Sequence, residues 1–218
     1  MKKILLLLTC LLIGCQISGC SSNDVPFEKK DYRVDGSQVE QVILDVSDRK
    51  IEVQKSDDQQ IHLSYYESEK EFYDISLSND KELKMTLEMN KEWTDYFGGK
   101  AGTEERTILL SLPDDMIEQL KISTSNEDVN LPALDIEDFI EVYLNQGNIQ
   151  VKKLQSDFIH LETKNGNLEG SIIGSYHDFS IESNAHKGDN NLPAQKEGGE
   201  KKLEAYTNNG NIQLEFVS

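Results

Sequence analysis

Beyond position 20 the chain contains no cysteine: its three are Cys10, Cys15 and Cys20. A disulfide framework is thereby excluded for the folded part, which must be held together by its core. Arginine is nearly as scarce, occurring at Arg33, Arg49 and Arg106, against 40 acidic residues and a formal charge of −18. Nucleic-acid binding is excluded on that count, because phosphate neutralisation needs clustered Lys and Arg. Electrostatic adhesion to an anionic lipid surface is disfavoured for the same reason. The acidity would attract cationic peptides or metal ions; its simpler role is to keep an exposed surface soluble. Helical periodicity is almost missing. So is any run long enough to cross a bilayer, where a helix needs about 20 apolar residues.

The longest apolar run, from Ile4 to Ile13, is broken by Thr9 and Cys10 and follows a basic Met1-Lys2-Lys3. It reads as a secretory signal. After it, Ile17-Ser18-Gly19-Cys20 followed by Ser21-Ser22-Asn23 resembles the lipobox of bacterial lipoproteins. The resemblance implies a diacylglyceryl group on the Cys20 sulfur and cleavage that leaves Cys20 as the new N-terminus. Leu12-Ile13-Gly14-Cys15 fits the same pattern, so Cys15 is the alternative. Cys20 is preferred because Ser18-Gly19 is the smaller pair and a polar run follows. Two acyl chains on one residue give stable attachment where one gives marginal binding. Cleavage would remove two lysines and no acid, taking the charge from −18 to −20. The expected organisation is a signal peptide at 1–19, a flexible polar tether at 20–38, and one domain at 39–218. The expected location is the cell membrane, lipid-anchored and facing the extracytoplasmic side.

In the domain the recurrent pattern is period-two alternation punctuated by Asn, Gly and Asp, the signature of short strands joined by turns. Around Gly147, apolar residues lie seven and five positions before (Ile140, Val142) and two and four after (Ile149, Val151). The same offsets around Gly210 give Leu203, Ala205, Ile212 and Leu214. Around Glu127 they give Leu120, Ile122, Val129 and Leu131. Around Gly166 they give Ile159, Leu161 and Leu168, with Gly170 in the last place, and around Arg49 they give Val42, Leu44, Ile51 and Val53. A looser copy surrounds Gly188, where Phe179, Ile181 and Leu192 require a small insertion. Such units cannot bury their own apolar edge and must stack. The expected fold is all-β: a parallel β-helix-like solenoid of strand-turn-strand rungs at 118–218, with a β-sandwich as the alternative. Gly at the turns is expected to serve a left-handed conformation. Residues 54–117 alternate less regularly and predict antiparallel hairpins, with one helical turn possible at 114–119.

Three features occur in order: Val46-Ser47-Asp48-Arg49-Lys50-Ile51-Glu52-Val53; Leu112-Pro113 followed by Leu120-Lys121-Ile122-Ser123-Thr124-Ser125-Asn126; and Asn-Gly-Asn turns ending in Ile212-Gln213-Leu214-Glu215-Phe216. In these the chain resembles the bacterial putative-adhesin family of unknown function, which includes YvlB-like and LiaG-like envelope proteins. The resemblance covers about residues 40–217. It implies a right-handed β-helix-like fold and an envelope or envelope-stress context, and it brings no catalytic residues.

Chemistry is sparse in the pattern. There is no Gly-x-Ser-x-Gly elbow and no mature Cys free to act as nucleophile. His62 and His160 alternate opposite apolar neighbours and should face solvent. His177, His186 and Asp189 lie in turns at no metal-ligand spacing, so no metal and no cofactor are expected. The loop Glu92-Trp93-Thr94-Asp95-Tyr96-Phe97-Gly98-Gly99 is the one aromatic cluster. Trp93, Tyr96 and Phe97 would either meet a partner or cap the open end of the core. The expected function is non-enzymatic recognition of a protein or envelope component. The alternative is a carbohydrate-active β-helix enzyme acting on an envelope glycan.

Overall fold

The computed structural model describes residues 26–93 and 100–218. Strands dominate, and they form two nine-stranded sheets. The chain runs through β1 (Glu28–Asp35), β2 (Gln41–Asp45), β3 (Lys50–Lys55), β4 (Gln60–Glu67), β5 (Glu71–Leu77), β6 (Glu82–Met89), β7 (Thr107–Leu112), β8 (Gln119–Asn126) and β9 (Val129–Leu131). It continues through β10 (Leu134–Asp135), β11 (Phe139–Gln146), β12 (Ile149–Gln155), β13 (Phe158–Asn165), β14 (Leu168–Ile173), β15 (Phe179–Lys187), β16 (Gln195–Lys196), β17 (Lys201–Asn209) and β18 (Ile212–Val217). The first sheet has the order β1-β4-β7-β3-β9-β12-β14-β18, with β10 beside β12. The second has the order β16-β15-β17-β13-β11-β8-β2-β6-β5. Among the described residues no helix is long and apolar enough to cross a membrane.

Each rung places one strand in each sheet, and rungs pair in parallel. Val42 stands beside Leu120, Leu120 beside Ile140, Ile140 beside Ile159, and Ile159 beside Leu203. In the first sheet Ile51, Val129, Ile149, Leu168 and Ile212 form the matching column. These are the offsets read from the repeats, and all ten residues are buried in one core between the sheets. Each contributes about 1.5–3 kcal/mol relative to exposure. Parallel sheets are usually covered on both faces and read as continuous apolar runs. Here each sheet buries one face only, so its strands alternate and the repeat is visible.

The glycines stack in the same order. A Cβ on Gly147 would meet the carbonyl of Glu127, one on Gly166 that of Gly147, one on Gly210 that of Gly166, and one on Gly188 that of Gly210. Close approach of the backbones therefore explains the glycine column. Only some of these turns have positive φ: Gly147 sits at +120° while Gly166 and Gly188 do not. The expected left-handed role is corrected accordingly.

Three further expectations are revised. Residues 28–35, placed in the tether, form β1 and pair antiparallel with β4 from Glu28↔Glu67 to Asp35↔Gln60. As an edge strand β1 packs only Tyr32 and Val34 against the core, too little to register as a strand pattern among its charges. In the N-terminal half, β5–β6 and β4–β7 are antiparallel as expected. However, β6 and β7 also pair in parallel with β2 and β3 and so make a rung of their own, its turn replaced by residues 90–106. Residues 114–117 form a turn rather than a helix, with Asp115 at φ 56°.

The Gly188 copy needs no insertion. Ile181 stands beside Leu203, Ser183 beside Ala205, and Asn190 bridges to Ile212. It occupies the last place in the stack, because β17 pairs with both β13 and β15. The final copy in sequence thus lies between the two that precede it. Antiparallel strands close the ends: β5 and β4 at one, β16 at the other.

Candidate functional site

The turn column ties the rungs together with side chains. One residue after each anchor stands Asp128, Asn148, Asn167, Asn211 or Asp189. The backbone N–H of Asn148 donates to Asp128 Oδ1 at 2.7 Å. Those of Asn167, Asn211 and Asp189 each donate to the Oδ1 of the preceding rung at 2.9 Å. Three residues before the anchor, Thr124, Thr163 and Thr207 donate to the carbonyls of Arg49, Gly147 and Gly166. At the N-terminal end glycine gives way to charge. Arg106 pairs with Glu127, and the buried Arg49 pairs with Glu71 and reaches the Tyr73 hydroxyl. This rigid edge fixes the geometry of both outer faces.

On the outer face of the second sheet the aromatic rings are already occupied. Lys121 lies over Phe139 at 5.0 Å, Lys202 over Phe158 at 5.1 Å and Lys164 over Tyr143 at 5.5 Å. His160 Nδ1 lies 2.7 Å from Glu204 Oε2. Burial alone would raise the Glu204 carboxyl, but hydrogen bonds from Lys202 and His160 override it and hold it below the ordinary value. Burial, the Glu182 carboxylate beside its hydroxyl and the charge of Glu204 push the Tyr206 phenol up. Cation, ring and carboxylate satisfy one another here.

The first sheet presents something different: a groove of about 760 Å³ across five strands. One wall is the outward row Glu52, Asn130, Gln150, Glu169 and Gln213, in register from β3 to β18. The other includes Pro132, Lys152, Ser171 and Glu215. Between them Val53, Leu131 and Val151 bury their side chains, leaving backbone as the floor. With strands about 4.8 Å apart, the first wall runs about 19 Å. Pro132 ends β9, and a register shift between Val151 and Leu154, with Lys153 at φ 52°, breaks the pleat beside it. Asn130 Nδ2 donates to Glu52 Oε1 at 2.9 Å, while Asn130 Oδ1 is buried without a partner. Amides and carboxylates at regular spacing both donate and accept, which suits an extended polyhydroxylated or amide-bearing ligand.

Of the residues singled out from the sequence, Trp93 is 73% exposed. Tyr96, Phe97, Cys15 and Cys20 lie outside the described residues. His62 and His160 are on outward strand positions and contact Asp58 and Glu204. His177, His186 and Asp189 do not converge; no group of three acidic or metal-ligating side chains does among the described residues. The groove was missed. Its signal lies at three positions after each anchor, where Glu52, Asn130, Gln150, Glu169 and Gln213 are all amide or acid.

A family model described as Toastrack DUF4097 matches residues 39–218. Among solved structures, a putative cell adhesion protein from Clostridium sporogenes is similar with a TM-score of 0.61 at 11% identity, over 88% of this chain and 100% of that one. A putative adhesin from Bacteroides fragilis is similar with a TM-score of 0.36 at 13% identity, over 88% of this chain and 97% of that one. No curated protein matches the chain. The Clostridium likeness is one of fold.

Proposed function

The chain belongs to the Toastrack DUF4097 family, and from that premise we propose that it is a lipid-anchored, non-enzymatic, adhesin-like recognition protein on the extracytoplasmic side of the cell membrane. The observation that carries the recognition role is the groove on the first sheet, whose Gln150, Gln213, Asn130 and flanking acids form a regular polar row. Its ligand is an envelope component rich in hydroxyl or amide groups. Cys20 is the anchor, with Cys15 as the alternative, and Trp93, Tyr96 and Phe97 offer a second contact on the partner. The printed names of the structural relatives agree with adhesion.

The test uses the full chain and isolated cell-envelope glycan. Gln150→Ala with Gln213→Ala removes two hydrogen bonds of about 1 kcal/mol each and should weaken retention tenfold or more. Unchanged retention would reject the groove. Mass spectrometry of the membrane fraction should find diacylglyceryl on Cys20, and Cys20→Ala should leave the membrane.

A carbohydrate-active enzyme is the second reading, favoured by one observation. Glu169 and Glu215 line the same groove on adjacent strands, two residues apart along the strand, and glycosidases work with paired carboxylates. Release of sugar products from the envelope glycan, abolished by Glu169→Gln or Glu215→Gln, would establish that reading instead.

A further inference from the structure

At the corner where each rung enters the second sheet, four carboxylate residues stand in one column. The N–H of Glu118 donates to the Glu40 carbonyl at 2.9 Å, that of Asp138 to Glu118 at 2.9 Å, and that of Phe158, next to Asp157, to Asp138 at 3.0 Å. The order is therefore Glu40, Glu118, Asp138, Asp157, one per rung at a spacing of about 4.8 Å. Lysines hold the two ends, Lys81 on Glu40 and Lys201 on Asp157 at 3.4 Å. The two central carboxylates have no ion pair among the described residues; Asp138 accepts only from the Gln119 amide at 3.1 Å. Glu118 bears the consequence, its carboxyl raised by burial and by the charges of Glu40, Asp138 and Glu137.

Beside this column lies a cavity of about 350 Å³, roughly the share of a dozen waters. Glu118, Asp135, Glu137 and Asp157 line it, together with the apolar Met116, Ile117 and Ile136. Ser156 also lines it, is 2% exposed, and keeps a hydroxyl with no hydrogen-bond partner. A buried hydroxyl left unpaired costs about 1–3 kcal/mol. Acids in line, an apolar wall and a vacant hydroxyl describe a complement for an alkylammonium group.

We propose that this corner binds a linear polycation through its primary ammonium groups, with a methylene stem against Ile117 and Ile136 and an N–H donated to Ser156 Oγ. Each ammonium offers three donors, and successive carboxylates along the column receive successive charges. A divalent cation fits less well. Calcium takes six to eight oxygens at 2.3–2.6 Å, whereas these acids are strung along the stack and no three converge among the described residues. The ammonium groups come either from a small polyamine or from lysine side chains of a peptide.

The experiment is titration calorimetry on the full chain with spermidine, with a trilysine peptide and with calcium chloride. Three variants accompany it: Glu118→Gln with Asp138→Asn, Ser156→Ala, and a charge-matched control at the opposite end, Asp74→Asn with Glu88→Gln. One polycation should bind per chain. The corner pair should weaken it at least tenfold, Ser156→Ala severalfold, and the control less than twofold. Tighter binding of spermidine identifies a polyamine site, and tighter trilysine identifies a peptide site. Absence of binding by both, equal weakening by the control, or calcium binding more tightly at the same residues overturns the proposal. The corner pair removes like charges and should raise Tm. Ser156→Ala changes no charge, so it decides the matter independently of folding. Gln150→Ala with Gln213→Ala should leave this binding intact, which separates it from the groove.

Discussion

A Cβ atom on Gly166 would fall on the carbonyl oxygen of Gly147, one rung below it. The two backbones touch with nothing between them, and neither can retreat because each is hydrogen-bonded to both neighbours along the stack. Gly166→Ala should therefore cost about 3 kcal/mol, the upper end for overpacking. Gly198→Ala is the contrast: nothing lies near its Cβ, and only its φ of +84° resists, at about 1 kcal/mol. Urea unfolding of both variants checks the pair; equal losses would show that turn conformation, not approach, selects glycine.

The asparagine ladder makes a sharper distinction. Asn167 Oδ1 accepts the N–H of Asn211. Asn167→Ala orphans that N–H and should cost about 1–3 kcal/mol. Asn167→Asp retains the acceptor and should cost distinctly less, as the ladder already ends in Asp128 and Asp189. Urea midpoints of the two variants should differ in that order.

Arg49 is 1% exposed, and Glu71 beside it is also bound by Lys91. Arg49→Ala leaves a buried carboxylate short of a partner and should destabilise by about 3–5 kcal/mol. Arg49→Met with Glu71→Leu should recover part of that loss. A double variant worse than Arg49→Ala would contradict this account.

The same carboxylate predicts an acid response. Burial would raise the Glu71 carboxyl, but bonds from Lys91 and Arg49 outweigh it and hold it below its ordinary 4.5. Its contribution to stability is thus present above that value and is lost as pH falls through the lowered folded-state value. Tm measured between pH 7 and pH 3 should fall more steeply for the parent than for Glu71→Gln. Parallel curves would remove Glu71 from the explanation.

The inward columns were legible because local alternation and register coincide: Val42, Leu120, Ile140, Ile159 and Leu203 share an offset and share a column. The order of rungs was not. Every copy carries the same offsets, so nothing local states which stacks on which. The Gly188 copy was misaligned for a related reason. Its inward places hold Ser183 and Asn190, which bond to one another at 2.9 Å and to the Pro193 carbonyl at 2.8 Å. A search for apolar residues slides past both to Phe179. The groove escaped notice because it is built from outward positions, where polarity is the default.

The displaced position of β17 also bears on how the molecule is assembled. β15 precedes β17 by more than twenty residues, yet among the described strands β17 is its only parallel neighbour. Until residues 201–217 have been made and have inserted, β15 has only the two-residue β16 to hold it. Completion of this end therefore waits on the last strands synthesised. It depends on closing a long loop before its contacts can reward it, a slow step in any β-rich chain. In that interval the polypeptide around 179–196 is the segment most accessible to a protease or a chaperone.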